Sequence, residues 1–380
     1  MPPSEQIHDF AVVGAGIAGA SVAWELAAFG SVLVLERESQ PGYHTTGRSA
    51  ALYSATYGTL LIQALTRASR AFYDEPPAEF GTSAPILTPR GVVYVARPDQ
   101  LGLLEAMLAD ARQRNPGVRR LGRDELLAQV PCLRHEVVAA GMSEPGAADI
   151  DVHALHQGYL RGLRRRGALL RTDAEVVALQ PRGEGWQLRL ADGTQLQARA
   201  VVNAAGAWAD ELARLAGVPP IGLEPRRRTA FTFAPPAGAE IGGWPAVIGV
   251  AEDFYFKPDA GQLLGSPANA DPVAPHDVVP EELDVALGIH RIQEIADLEI
   301  RRPTRSWAGL RSFVADGDLV IGWDNHVPGF FWLAAQGGYG IQSAAAAALL
   351  ARNLALNQPL DPRLVREGLE AGQLSPARLR

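Results

Sequence analysis

The 380-residue sequence predicts an α/β fold, α+β overall, in which a parallel core is interrupted twice by mostly antiparallel sheet. Three observations predict it. The apolar run Phe10–Val13 ends at Gly14 and leads into helical periodicity and then a second apolar run. Mid-chain segments alternate apolar and polar residues around Asp-Gly and similar turns. Close to the C-terminus a strand, a glycine-rich turn and a helix follow one another directly.

Taken in order, Phe10–Val13 reads as a buried strand, and helical periodicity runs from Ile17 to about Phe29, with Gly30 placed to stop it. Val32–Leu35 completes a βαβ opening. Val92–Ala96 is dominated by β-branched residues, and helical stretches continue to about Gln129. Residues 149–167 form an amphipathic helix with Asp149 or Asp151 as N-cap. Residues 186–198 read as a hairpin turning at Asp192-Gly193, and 200–208 as a buried strand ending in small residues. Segments 227–233, 245–250 and 254–266 look antiparallel, the last turning at Asp259-Ala260-Gly261. Residues 329–351 are a strand, a glycine turn and a helix whose run Ala344–Ala348 is good helix former.

Composition narrows the function classes. The length exceeds one average domain. With 47% hydrophobic and 20% charged residues the chain reads as a soluble globule with a core. A formal net charge of −7 argues against nucleic acid or an anionic membrane as main partner. The single cysteine, Cys132, excludes an internal disulfide framework, fits a reducing compartment and reads as a small buried residue. No basic leader precedes the first apolar run, and Phe330–Ala351 is broken by glycines and glutamines. The expectation is a cytoplasmic protein with no integral membrane segment. His153 and His156 lie three apart on one helix face without a third ligand, so helix surface is the default and no metal site is expected.

Gly14, Gly16 and Gly19 form a GxGxxG spacing between a strand and a helix. Gly14 allows the tight turn, Gly16 lets backbone approach a pyrophosphate, and Gly19 lets helix and strand pack. The helix N-terminus offers N–H groups and a positive dipole end to phosphates. Glu36 ends the second strand, where a carboxylate accepts from ribose hydroxyls. Two further stretches have no task in a nicotinamide site. Residues 44–51, HTTGRSAA, have the small residues and hydroxyls that suit backbone lying on a large planar ring. Residues 336–342, QGGYGIQ, open the last helix, whose N-terminus would stabilise charge on a reduced flavin. The combination points to FAD.

With the stretches VNAAGAW, PRRRTAF, FYFKPDAG, LLGSPANADP, SWAGLRSFVADGD and AAQGGYGIQ in view, the chain resembles the D-amino-acid oxidase superfamily over nearly its whole length, and within it D-arginine dehydrogenases most. The resemblance implies a Rossmann-like FAD-binding domain (1–85, 142–220 and 303–380) carrying an inserted, mostly antiparallel substrate-binding domain (86–141 and 221–302). It implies non-covalent FAD and oxidation of a D-amino acid's α-amine to an imine, which water converts to a 2-oxo acid and ammonia. The electrons go to an acceptor that is a quinone, another carrier or oxygen. The cofactor is expected on Gly14, Gly16, Ile17, Ala18, Gly19, Glu36 and Arg37, then on Thr45, Thr46, Gly47, Arg48, Ser49, Ala50 and Ala51. Val176, Ala205, Gly206, Trp208 and Gly309 follow, and Gly337, Tyr339, Gly340 and Ile341 complete the set.

Arg311 sits in SWAGLRSF with no acid in the stretch, and a substrate carboxylate is the anion a guanidinium fork holds bidentately. The family pattern adds Arg228, the expected inward member of Arg226–Arg228, with Tyr57 and Tyr255 lining the pocket. Carbonyls near Gly338 would receive the amino group, with Gln342 in the same wall. No strong acid–base side chain is required, because two arginines favour loss of the amine proton. The pattern breaks where arginine-preferring relatives place an acid: residues 87–95 here offer Gly91, Val92 and Val93. Leu52 stands where those relatives have histidine. Both changes favour neutral, largely apolar side chains over arginine, with Asp74, Glu75 or Glu79 as substitutes if their loop folds inward. The competing readings are an oxidase of glycine or another small amine that yields hydrogen peroxide, an NAD(P)H-dependent flavin hydroxylase, and a non-catalytic FAD-binding protein.

Overall fold

The computed structural model describes residues 7–380. The chain opens with β1 (Ile7–Val13), α1 (Ile17–Leu26), β2 (Val32–Leu35), β3 (Leu52–Tyr53), α2 (Leu60–Asp74) and β4 (Leu87–Pro89). It continues through β5 (Val92–Ala96), α3 (Leu101–Arg114), β6 (Arg119–Gly122), α4 (Arg123–Gln129), β7 (Ala140–Glu144) and β8 (Ala148–Ile150). Next come α5 (Val152–Arg165), β9 (Leu169–Arg171), β10 (Val176–Arg182), β11 (Gly185–Leu190), β12 (Gln195–Asn203) and α6 (Ala209–Leu215). The inserted strands are β13 (Glu224–Phe233), β14 (Ala246–Gly249), β15 (Tyr255–Asp259), β16 (Gln262–Ser266) and β17 (Asp271–Pro272), followed by α7 (Glu282–Ile295). The last are β18 (Arg305–Phe313), β19 (Val320–Trp323), β20 (Phe330–Ala334), α8 (Gly340–Ala355) and α9 (Pro362–Arg366).

The predicted parallel core is present. β9, β2, β1, β12 and β20 run parallel in that order, with β19 antiparallel at one side and the β10–β11 hairpin leaning on β12. β2, β20 and the adjoining parts of β1 and β12 are apolar on both faces because both faces are covered. Trp24, Tyr159, Phe331 and the alanines of α8 pack on one side, and Trp332, Phe330 and α6 on the other. The second sheet orders β17, β13, β16, β15, β14, β5, β7 and β6, with β18 on β13. Only β14 and β5 are parallel there, so mostly antiparallel is the right description. One of its faces packs Phe231 and Phe256 against Ile292 of α7, and part of the other, at β5 and β7, packs against Leu104 and Leu108 of α3.

Several element boundaries differ from expectation. α1 stops at Leu26 because the chain tightens there, with the N–H groups of Phe29 and Gly30 both returning to the Leu26 carbonyl. The helical run toward Gln129 is split by β6, whose Arg119 and Arg120 are exposed and whose pairing with β7 outweighs helix propensity. Asp151, not Asp149, caps α5, accepting from Ala154 N–H at 2.7 Å. We propose the two-domain division expected above with one amendment: β18, within 303–380, makes its hydrogen bonds in the second sheet. No helix among the described residues is long and apolar enough to cross a membrane.

Candidate active site

The two large sheets, together with the small antiparallel sheet β3–β8–β4, contribute to a trough of three confluent chambers. The first, about 940 Å³, lies where β1 hands over to α1 and is lined by Gly14, Gly16, Glu36, Arg37, Thr45, Thr46, Val176, Ala205, Gly206 and Trp208. Glycine is obligatory in the turn: Gly14 has φ +103°, and a Cβ there would stand 2.3 Å from the Ala204 carbonyl oxygen of the neighbouring strand. A Cβ on Gly19 would fall 1.8 Å from the Gly14 carbonyl oxygen, so helix and turn touch as the motif demands. Glu36 braces the turn by accepting from Ala15 N–H (2.8 Å) and Glu38 N–H (3.0 Å), and Thr46 Oγ1 accepts from Ile17 N–H at 3.0 Å. The Arg37 guanidinium lies 4.2 Å over the Trp208 ring.

His156 corrects the expectation of a surface residue. It is buried, its Nε2 lies 2.8 Å from the Ala15 carbonyl oxygen, and burial lowers its pKa, so the neutral ring donates to the glycine turn. His153 is exposed.

The middle chamber, also about 940 Å³, is walled by Ile17, Ala18, Arg48, Ser49, Ala50, Gly309, Gly337, Gly340 and Ile341. Its loop is bolted to the second sheet through Thr45 Oγ1 to Leu310 O (2.8 Å) and Trp307 Nε1 to Arg48 O (3.0 Å). Arg48 donates to Ala308 O and Val278 O and pairs with Asp277. Three expected cofactor residues do not line the trough. Gly19 and Gly47 stand behind it as packing points, and Tyr339 backs Tyr57 with ring centroids 4.9 Å apart.

The third chamber, about 830 Å³, brings together Ala51, Leu52, Tyr57, Arg228, Tyr255, Arg311, Gly338 and Gln342. The strand register explains the arginines. β13 and β18 pair so that Arg228 faces Gly309 and Arg226 faces Arg311. Alternation sends Arg227 to the opposite face, where Asp284, Glu281 and Asp271 neutralise it, while Arg226 turns to Glu224 and Phe313 at the sheet edge. Arg228 and Arg311 are left without a carboxylate at ion-pairing distance among the described residues. Arg228 donates only to the Asn269 carbonyl (2.5 Å) and Arg311 to the Tyr57 hydroxyl (3.3 Å), and among the described residues neither joins an ion pair. Burial and the positive charge of Arg311 bring the Arg228 pKa down to about 10. Gly338 makes room for this arrangement, since a Cβ there would lie 2.7 Å from Arg311 Nη1.

Gln342 is in the wall as expected, yet its amide is already committed, accepting from Ser54 N–H at 3.2 Å and donating to Thr66 Oγ1 at 3.0 Å. Sequence reasoning missed Glu252, Tyr94 and Lys257, which also line the chamber. Burial raises the Glu252 pKa while Arg228 and Arg311 pull it down. It was hidden because its loop, left-handed at Glu252 itself (φ +54°), carries no periodic signal. Asp74 and Glu79, offered as substitutes, are engaged elsewhere, with Arg70 and with Arg166 and Trp24. Behind the wall the buried Glu144 accepts from Ser54 Oγ, Ala55 N–H and Thr56 Oγ1, each at 2.7 Å, and so pins the turn that carries Tyr57. Cys132 lies outside all three chambers, and burial pushes its thiol pKa up to about 12.

The trough fits FAD: a strand–glycine turn–helix with a buried acid at one end, a middle of small residues, and the opening of α8 beside the arginines. Comparison with known proteins agrees. The chain is 25% identical over 210 residues to mitochondrial dimethylglycine dehydrogenase of Rattus norvegicus, covering 54% of this chain and 24% of that protein. It is 26% identical over 240 residues to L-2-hydroxyglutarate dehydrogenase of Escherichia coli (strain K12), covering 60% and 55%. The matches thus span only about a quarter and about half of those relatives' lengths. The fold superposes on the crystal structure of glycine oxidase from Geobacillus kaustophilus with a TM-score of 0.84 at 22% identity, over 98% of both chains. Residues 9–354 match the family described as FAD dependent oxidoreductase, DAO, and the chain belongs to that family.

Proposed function

We propose that this protein oxidatively deaminates D-amino acids with FAD, favouring neutral, largely apolar side chains. The observation that carries this reading is the pair Arg228 and Arg311, two partly buried guanidiniums that join no ion pair among the described residues, in a chamber open to the cofactor trough. Buried charges are stable only when paired, and an α-carboxylate is the missing partner. Arg311 holds it bidentately, with the Tyr57 hydroxyl against the same guanidinium and Tyr255 in the wall. That grip fixes the orientation of Cα. The positive field of the arginines favours the neutral amine, whose proton leaves to water. The bound flavin supplies a two-electron acceptor for the hydride released from Cα. The imino acid is then hydrolysed by water to a 2-oxo acid and ammonia, and a quinone, another carrier or oxygen takes up the electrons.

Charge supports the side-chain preference. Arg228 and Arg311 outnumber Glu252, the one carboxylate among the described residues of the chamber wall, by at least one positive charge. A substrate with one carboxylate, a neutral amine and an uncharged side chain cancels it, whereas a cationic side chain restores it. Leu52, Ala246, Ile248 and Phe254 supply an apolar seat. Handedness rests on the resemblance of the motifs to D-arginine dehydrogenases.

An anaerobic panel of D- and L-amino acids, followed by flavin absorbance, tests the reading. D-leucine, D-methionine and D-phenylalanine are expected to bleach the flavin with kcat/KM about tenfold or more above D-arginine. Preference for D-arginine, or bleaching by L-isomers alone, contradicts the proposal. Peroxide yield without an added acceptor separates oxidase from dehydrogenase.

A further inference from the structure

Lys257 is the one ammonium among the described residues of the chamber wall, and it already faces two carboxylates. It stands on β15 two residues beyond Tyr255, so alternation puts both on the same face. At strand spacing, Lys257 lies about 7 Å farther along the wall than Tyr255. The residue is 5% exposed. Its Nζ lies 2.7 Å from Asp149 Oδ1 and 3.6 Å from the more open Asp259. Asp149 belongs to β8, directly opposite Leu52 of the chamber wall. Arg90 holds its other oxygen at 2.7 Å and is itself anchored on the carbonyls of Gly242 and Trp244.

Resting on the amino-acid reading above, we propose that the Lys257–Asp149 pair sets the side-chain charge this chamber accepts. Lys257 is the group that would receive a second carboxylate, and Asp149 occupies it. Asp149 in turn would attract a cationic side chain, and Lys257 with Arg90 occupies it. Lys257 and Arg90 are balanced by Asp149 and Asp259, so this end of the wall presents no net charge and offers no free partner to an acidic or basic side chain.

The arrangement predicts opposite outcomes for its two halves, measured as kcat/KM ratios on the holoenzyme. In Asp149→Asn, Arg90 keeps its carbonyl partners while Lys257 loses its nearer carboxylate and keeps only the more open Asp259, and the D-glutamate to D-leucine ratio rises about tenfold. In Lys257→Met, the D-lysine to D-leucine ratio rises about fivefold and the D-glutamate ratio does not. Combining both substitutions cancels the D-glutamate gain. Ratios within about twofold of wild type in both single variants overturn the proposal while leaving the amino-acid reading intact. If Asp149→Asn does not retain FAD, the Lys257→Met ratio decides alone. A wild type that oxidises none of the three substrates overturns the amino-acid reading and this assignment with it.

Discussion

Arg228 shows how its surroundings set one side chain apart from its neighbours. Its sequence neighbours Arg226 and Arg227 have the same chemistry, yet each finds a carboxylate, and Arg228 does not. Burial and Arg311 together hold its pKa down to about 10. A bound carboxylate favours the charged form and so raises that pKa, which by linkage makes binding tighter while Arg228 is protonated. The affinity of the holoenzyme for a non-reacting aliphatic carboxylate is therefore flat from pH 7 to 9 and declines as pH rises through about 10. Arg228→Gln removes the decline and weakens binding at pH 8 by about tenfold to a hundredfold. A wild-type profile flat to pH 11.5 contradicts the assignment.

Elements with strong local signals were readable in advance, and those that rely on distant partners were not. β2, β5, the Asp192-Gly193 turn and the glycine motif follow from patterns a few residues long. β6 exists only because β7 is there to pair with it, and β18 took its place in the second sheet from its register with β13. The site divides the same way. Arg311 was conspicuous because it lacked a local acid, and the structure places it with Arg228, Tyr57 and Tyr255. Glu252, Lys257 and Glu144 are ordinary charged residues in sequence, and only folding brings them to the chamber or behind it. Contact between elements also makes Gly338 a sharp test. In Gly338→Ala the new methyl would press on the guanidinium of Arg311 rather than on flexible solvent-facing atoms. The expected result is a loss of kcat/KM for D-leucine of about tenfold or more, with FAD affinity within about twofold of wild type. Equal loss of FAD and activity would mean that Gly338 serves the helix start and not the arginine.

The whole molecule is organised so that neither sheet owns the substrate chamber. Tyr57, Gly338 and Gln342 come from segments packed on the parallel sheet, while Arg228, Tyr255 and Arg311 come from strands of the antiparallel one. Left-handed backbone at Ala51, Glu252, Ala268 and Ala335, all non-glycine residues, gathers along this seam. Such backbone is costly and persists where surrounding structure over-determines it. Glu144 ties the seam from one side and Thr45 and Trp307 from the other, so the anion clamp and the cofactor trough are fixed relative to each other. The central claim is that two arginines that join no ion pair among the described residues hold a carboxylate within sight of the flavin. Titrating the holoenzyme with butyrate while recording the flavin visible spectrum tests it most directly. The account predicts a saturable spectral perturbation in wild type, weakened about a hundredfold or more in Arg311→Leu with FAD still bound. No perturbation in wild type, or the same dissociation constant in Arg311→Leu, would contradict it.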